Sequence, residues 1–302
     1  MREIRQLHEK LLCREKDSHK GTYGTVLLVA GSIGASGAAV LAGRAALRGG
    51  AGLTRVAVPM KIQAVVAQMQ AEYTTIPLAE DKRGRISESA GEQILLEAEK
   101  ATVVAVGPGL SRSKSLVKLV RRLWKEVPRP MILDADGLNA LAEWIMSDEE
   151  KRESDFPRKT QDVRIITPHP GEFSRLSGVS AKDLEAQRAA AVEWARKHQC
   201  VVVLKGTGTF VTDGVLSWRN TTGNPGMATG GSGDVLTGMM AAFAAQLLSQ
   251  GVSGMDVARL AVYLHGKAGD LAVKETGEVS LIAGDILRFL PQAVKNISFS
   301  CD

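Results

Sequence analysis

Residues 223–238, Gly-Asn-Pro-Gly-Met-Ala-Thr-Gly-Gly-Ser-Gly-Asp-Val-Leu-Thr-Gly, bring together in one stretch the parts that phosphoryl transfer needs. Gly230, Gly231, Ser232 and Gly233 leave the main-chain N–H groups little hindered. Successive donors can then converge on a phosphate oxygen, as an anion hole, where the next helix presents its unpaired N–H groups and positive dipole end. Asp234 follows at once. A carboxylate beside a phosphate cradle is electrostatically unfavourable unless it must take a proton from a hydroxyl that attacks phosphorus, the arrangement of a kinase. The plainer account is a tight connection with Asp as a helix cap. Two strong turn signals in one segment, Asn224-Pro225-Gly226 and Gly230-Gly231, exceed what chain reversal requires and favour the functional account.

Three further stretches carry candidate chemistry. Lys205-Gly206-Thr207-Gly208-Thr209 follows the apolar run Val201–Leu204. The lysine can snorkel to solvent, but beside glycines and two hydroxyls it suits a nucleotide phosphate. Thr167-Pro-His-Pro-Gly-Glu172 reads as a loop whose two prolines fix its course and present His169 and Glu172. A lone histidine is more often a surface or hydrogen-bonded residue, yet this one follows a strand end, the edge where the other loops lie. Gly31-Ser-Ile-Gly-Ala-Ser-Gly37 precedes Ala38 and Ala39 but lacks the Lys-Ser/Thr ending of a P-loop and the spacing of a dinucleotide fold. Here a close helix-on-strand contact and an approach path for a flat ligand remain equally open.

These loops need a scaffold that gathers strand ends. Short β-branched runs at 25–30, 54–58, 72–77, 102–106, 131–134, 163–166 and 201–204 alternate with helical patterns at 38–47, 60–70, 90–99 and 181–198. Such a rhythm implies an α/β fold with parallel strands, whose ligands bind outside the carboxyl ends. Gly107-Pro108-Gly109 and Asp134-Ala-Asp136-Gly-Leu-Asn139 also fall there. Asp234 to about Gln250 is apolar on nearly every side and reads as a buried helix; further helices near 257–274 and 283–294 cover the sheet. Residues 1–20 suit an amphipathic helix lying on the body, and 147–162 a charged surface loop. Strand rhythm resumes after that loop, so residues 1–302 are expected to form a single domain.

Composition narrows the partners. A hydrophobic content of 44% supports a large core, and a net charge of +5, from 38 basic and 33 acidic residues spread along the chain, suits small anions. With 13 aromatic residues and no basic run interleaved with them, nucleic acid is not expected as a partner. Cys13, Cys200 and Cys301 show neither disulfide nor zinc spacing. No signal-peptide core or membrane-spanning apolar run occurs, so a cytoplasmic protein without membrane contact is expected.

Six ordered motifs together resemble a known family: Gly31-Ser32 with Gly37-Ala38-Ala39, Gly107-Pro-Gly109, Asp134 to Asn139, Thr167 to Glu172, Lys205 to Thr209, and Asn224 to Asp234. They are similar to those of the ribokinase-like ADP/ATP-dependent NAD(P)H-hydrate dehydratases, the carbohydrate kinase-related YjeF C-terminal family. The resemblance implies a three-layer fold with a mostly parallel central sheet. It also implies repair of the hydrated cofactors NADHX and NADPHX: ADP or ATP phosphorylates the hydrate hydroxyl, and phosphate then leaves. Asp234 is then the expected base. Lys205, Gly206, Thr207, Gly208, Thr209 and Gly233 are expected to meet the adenine nucleotide. Ala38 or Ala39, Gly109, His169 and Asp234 are expected to meet the hydrate. Glu172 resembles the glutamate of the Asn-x-x-Glu magnesium motif of sugar kinases, with His169 where those have Asn, so an indirect Mg2+ role is expected of it. About two dozen residues precede the first strand, so no epimerase domain is expected, and the partner epimerase is expected on a separate chain. A symmetric homo-oligomer is expected, a tetramer among the forms considered.

Overall fold

In the computed structural model, residues 2–147 and 162–295 are described. Residues 148–161 of the expected charged loop, and Cys301, lie outside them. Among the described residues nine strands form one sheet: β1 (Thr25–Val29), β2 (Leu53–Pro59), β3 (Thr74–Leu78), β4 (Val103–Val106), β5 (Met131–Leu133), β6 (Arg164–Ile166), β7 (Val201–Leu204), β8 (Phe210–Thr212) and β9 (Ser217–Arg219). Their spatial order is β3-β2-β1-β4-β5-β6-β7-β8-β9. The first seven pair in parallel, and β8 and β9 close one edge antiparallel.

The helices are α1 (Arg2–Leu12), α2 (Ser36–Arg48), α3 (Met60–Gln68), α4 (Gly91–Glu99), α5 (Lys114–Glu126), α6 (Ala135–Ser147), α7 (Pro170–Ser177), α8 (Leu184–His198), α9 (Ser232–Leu247), α10 (Gly254–Ser280) and α11 (Ala283–Lys295). Side chains alternate across each strand and so build two cores. Val26 and Leu28 of β1 face the layer of α1, α2, α3, α9, α10 and α11. Leu27 and Val29 face α4 to α8. This is the three-layer, mostly parallel architecture expected from the motifs.

The all-round apolar α9 lies inside the first layer, with Val235 to Leu247 buried. It crosses α2 so closely that a Cβ on Gly238 would lie 1.9 Å from the Ala42 carbonyl oxygen. Backbone touches backbone there, which only glycine permits.

Several local expectations shift. The first helix stops at Leu12 rather than near residue 20, because residues 14–20 offer no apolar side chain to extend the stripe that buries Ile4 and Leu11. The helix expected at 181–198 begins at Leu184, capped by the Asp183 side chain. The stretch after His169, read as a loop, is helix α7. Pro170 stands at its first position, where the missing N–H costs nothing.

Candidate active site

Parallel strands deliver their carboxyl ends to one edge, and backbone bonds carry the sheet one residue further. Asp134 N–H donates to the Val106 carbonyl at 3.1 Å, Thr167 N–H to Leu133 at 3.1 Å and Lys205 N–H to Pro168 at 2.8 Å. Between β1 and β4 the strand order reverses direction, and a crevice opens at such a switch point. Gly31 N–H donates to the Pro108 carbonyl at 2.8 Å, and Ser32 Oγ to the Gly109 carbonyl at 2.8 Å. Gly109 has φ 64°, and a Cβ there would lie 2.9 Å from the Ala38 Cβ. The structure thus brings Ala38 and Gly109 together. Ala39 is fully buried in the core behind them.

The chemistry concentrates where β5, β7 and α9 meet. Asp134, 1% exposed, accepts from Lys205 Nζ at 2.6 Å on one oxygen and from Thr237 Oγ1 at 2.7 Å on the other. Lys205 Nζ also lies 3.9 Å from Glu172 Oε2. The lysine therefore points into the site under Gly233, where a Cβ would lie 3.3 Å from Nζ, rather than out to solvent. Burial works against its ammonium, but Asp134, Glu172 and Asp234 overcome that and hold its pKa above the ordinary lysine value.

Above this pair, Gly231 caps α9 with φ 89°, a left-handed conformation natural to glycine. Asp234 is the third helical residue, not the cap, and no side chain caps this helix. Among the described residues the N–H groups of Gly231, Gly233 and Asp234 meet no acceptor, leaving orphan donors at a dipole's positive end. Burial, then the negative charge of Asp134, pushes the Asp234 carboxyl up to about 7, with Lys205 pulling it down. A carboxylate so tuned is half-protonated near neutrality, the condition under which it works well as a base.

His169 and Glu172 are bound to each other at the start of α7. His169 Nδ1 accepts from the N–H groups of Gly171 at 3.0 Å and Glu172 at 3.3 Å, while Glu172 Oε2 accepts from His169 N–H at 2.8 Å. This is a capping box, with histidine in the place usually taken by Ser, Thr or Asp. With Nδ1 accepting, the ring proton resides on Nε2, which points to Glu172 Oε1 at 3.3 Å. Burial, then Lys205 and Arg175, lowers the His169 pKa and keeps the ring neutral. Burial raises that of Glu172 against the pull of Lys205. Among the described residues no group of three or more His, Cys, Asp or Glu is placed to hold a metal.

The loop after Lys205 turns back on itself: Thr209 Oγ1 donates to the Gly206 carbonyl at 3.0 Å. Gly208, φ 65°, leaves room for Arg219, whose Nε would lie 2.5 Å from a Cβ there. Asn224 and Gly223 are anchored to Asp270 of α10, through Asn224 Nδ2 at 3.1 Å and Gly223 N–H at 3.0 Å. Their role is to hold the glycine stretch against that helix.

Four residues escaped the sequence reading as site members: Asp134, noticed only within a motif, and Thr237, Arg219 and His265. His265 of α10 is 8% exposed and backs the Ser232 backbone, and among the described residues its Nε2 has no hydrogen-bond partner. Burial pushes its pKa down to about 4, so it stands neutral behind the anion hole. No local pattern marks it. Its neighbours Val262, Tyr263 and Leu264 make it read as a helix core.

Comparison with known proteins places this site in context. The family model described as NAD(P)H-hydrate dehydratase matches residues 26–292. The chain is 44% identical over 289 residues to the bifunctional NAD(P)H-hydrate repair enzyme Nnr of Moorella thermoacetica, covering 94% of this chain and 52% of that protein. It thus spans about half the length of this and similar curated relatives. It is 36% identical to the ADP-dependent (S)-NAD(P)H-hydrate dehydratase of Bacillus subtilis, with 93% of each chain covered. A crystal structure of the ADP/ATP-dependent NAD(P)H-hydrate dehydratase from B. subtilis, co-crystallized with ATP/Mg2+, superposes with a TM-score of 0.78 at 33% identity, covering 97% and 96% of the two chains.

Proposed function

Because the chain belongs to the NAD(P)H-hydrate dehydratase family, we propose that it converts the S epimers of NADHX and NADPHX to NADH and NADPH at the expense of ADP or ATP. One observation carries the reading at the level of the site. Orphan N–H groups of Gly231, Gly233 and Asp234 flank a carboxyl whose pKa stands at about 7. Donors for a transferring phosphoryl group and a base for the attacking hydroxyl lie within one helical turn.

In this mechanism Asp234 takes the hydroxyl proton of the hydrate as that oxygen bonds to the terminal phosphorus, and the phosphoanhydride bond to the rest of the nucleotide breaks. The unpaired N–H groups of Gly231, Gly233 and Asp234 hold the phosphoryl oxygens, while Ser232 N–H donates to the Thr229 carbonyl at 3.4 Å. Hydroxide is a poor leaving group and phosphate a good one. The ring nitrogen lone pair expels phosphate, the carbon–oxygen bond breaks, and the neighbouring carbon gives up a proton to restore the dihydropyridine. Lys205, held by Asp134, supplies positive charge beneath Gly233. The loop 205–209 and Arg219 line the nucleotide side, while Ala38, Gly109 and His169 line the hydrate side.

A magnesium ion would be held by the nucleotide phosphates. Such an ion keeps several waters and needs only one or two carboxylates. Asp134 has both oxygens engaged and Glu172 is tied into its cap, so in this reading Glu172 acts on the metal through water. Charge neutralisation of the phosphates is the chemistry the ion supplies. Interconversion of R and S epimers falls to an epimerase outside the nine-stranded sheet and its helices. No helix among the described residues is long and apolar enough to cross a membrane.

The test supplies (S)-NADHX or (S)-NADPHX with ADP and ATP separately and follows the absorbance of the dihydronicotinamide. Recovery dependent on nucleotide, with release of inorganic phosphate, is the expected result. Formation of a stable phosphorylated product would instead identify a small-molecule kinase of the same fold.

A further inference from the structure

A second concavity opens beside the proposed site and has no role in the chemistry above. About 330 Å³ in volume, it is lined by Arg112, Asn139, Ala142, Glu143, Met146 and Arg175. Arg112 lies three residues beyond Gly109 on the segment leaving β4. Arg175 stands on α7, the helix capped by His169. The cavity is therefore flanked by the two segments assigned to the hydrate, which follow β4 and β6, whereas the loop 205–209 assigned to the nucleotide donor follows β7.

Its polar groups are prearranged. Arg175 Nε donates to Asn139 Oδ1 at 2.9 Å, and Asn139 Nδ2 donates to Asp136 Oδ1 at 3.2 Å. The other oxygen of Asp136 accepts from Ser111 N–H at 2.8 Å, next to Arg112. Among the described residues, neither the Arg112 guanidinium nor the terminal nitrogens of Arg175 meet an acceptor. The Arg112 guanidinium and the terminal nitrogens of Arg175, against the carboxylate of Glu143 among the lining residues, leave the wall positive, and such groups match phosphate oxygens.

We propose that Arg112 and Arg175 bind a phosphate group of the dinucleotide hydrate and so hold the tail of the molecule whose nicotinamide ring is at Asp234. The inference rests on the proposed dehydration. A hydrate reacting at Asp234 must lay its phosphates away from the donor nucleotide, and this cavity offers cations on that side. Two groups share the chemistry: the pyrophosphate, present in both hydrates, and the 2′-phosphate, present in NADPHX alone.

The test compares wild type with Arg112→Ala, Arg175→Ala and the double variant. Expected is a rise of about tenfold or more in KM for the hydrate in each single variant, from loss of one charge-assisted contact, with kcat and nucleotide KM nearly unchanged. A rise for NADPHX alone assigns the 2′-phosphate; a rise for both hydrates assigns the pyrophosphate. The Arg112 side chain makes no hydrogen bond among the described residues, so its variant separates binding from any effect on α7. Calorimetric binding of NADH and NADPH, products with the same phosphates, reads the cavity whether or not dehydration is seen. Failure of wild type to dehydrate either hydrate would count against the proposed function. Unchanged hydrate KM and unchanged product affinity in the double variant would overturn the cavity's role.

Discussion

Two glycine-rich segments lead into two helices that pack side by side, α2 after residues 31–35 and α9 after residues 223–231, and both helix starts face the same sheet edge. They differ in what stands beneath. Under α9 lie Lys205 and Asp134, paired at 2.6 Å, and its third residue is Asp234. At α2 the cap is Ala35 with no side-chain hydrogen bond, no acidic residue stands in the first turn, and Gly34 and Gly37 look onto open space. Backbone donors alone make a place where an anion can rest. A buried ion pair with a raised carboxyl makes a place where a proton can move. Glycine spacing is common to both, and the charges distinguish them.

Asp234→Asn should break the contrast most sharply. Losing a general base costs about 10²–10⁴-fold in turnover, while the N–H groups that bind phosphate remain, so nucleotide affinity should hold. Retention of near-normal dehydration would remove Asp234 from the mechanism. The same variant has a stability signature. The folded state keeps the Asp234 proton up to about pH 7, whereas the free group releases it near 3.8. The native state thus binds more protons in that window, and wild-type stability falls as pH rises through it. The Asn variant lacks this loss, so its Tm relative to wild type should grow between pH 4 and pH 8. A pH-independent difference would show that the carboxyl is not perturbed as described.

Lys205→Met is next. An exposed lysine would cost little, but this one neutralises a buried carboxylate, and breaking such a pair costs on the order of 3 kcal/mol. Thermal unfolding should show the loss, and Asp134→Asn added to it should recover part by removing the stranded charge. Because Lys205 pulls the Asp234 pKa down, the acid limb of the rate profile in Lys205→Met should move to higher pH. An unmoved limb would place the lysine away from the base.

His265→Ala should lower turnover several-fold by removing the neutral ring that backs the Ser232 backbone at the start of α9. His265→Asn, which keeps a polar group there, should recover most of it. A Tm loss without a kcat change in the Ala variant would make His265 a packing residue only.

The smallest effect is expected from Gly37→Ala, where a Cβ meets nothing within 4 Å. Replacing glycine near a helix start should stabilise by about 0.5–1 kcal/mol, with hydrate KM unchanged within about twofold. A tenfold rise would instead make the first loop a ligand contact and settle the two accounts left open by its sequence.

Much of the scaffold was legible because it rests on local periodicity. The β-branched runs and the all-round apolar helix occur near their expected places, since burial on one or both faces shows in the order of side chains. The Pro170 stretch was misread as a loop because its capping box uses histidine, a residue that sequence patterns seldom credit with capping. Within the site, the glycine cradle and Asp234 were visible because they are contiguous. Asp134, Thr237 and Lys205 come from three separate elements, and only the sheet order, which sets β5 and β7 on either side of β6, makes them partners. By itself the sequence determined the α/β class, the glycine-rich stretch at the start of the buried helix and the carboxylate beside it. The tertiary structure decided the rest: that Lys205 turns inward, that His265 stands neutral behind the anion hole, and that Asp234 titrates near neutrality. Electrostatic tuning depends on burial and on charges distant in the chain, and local spacing records neither.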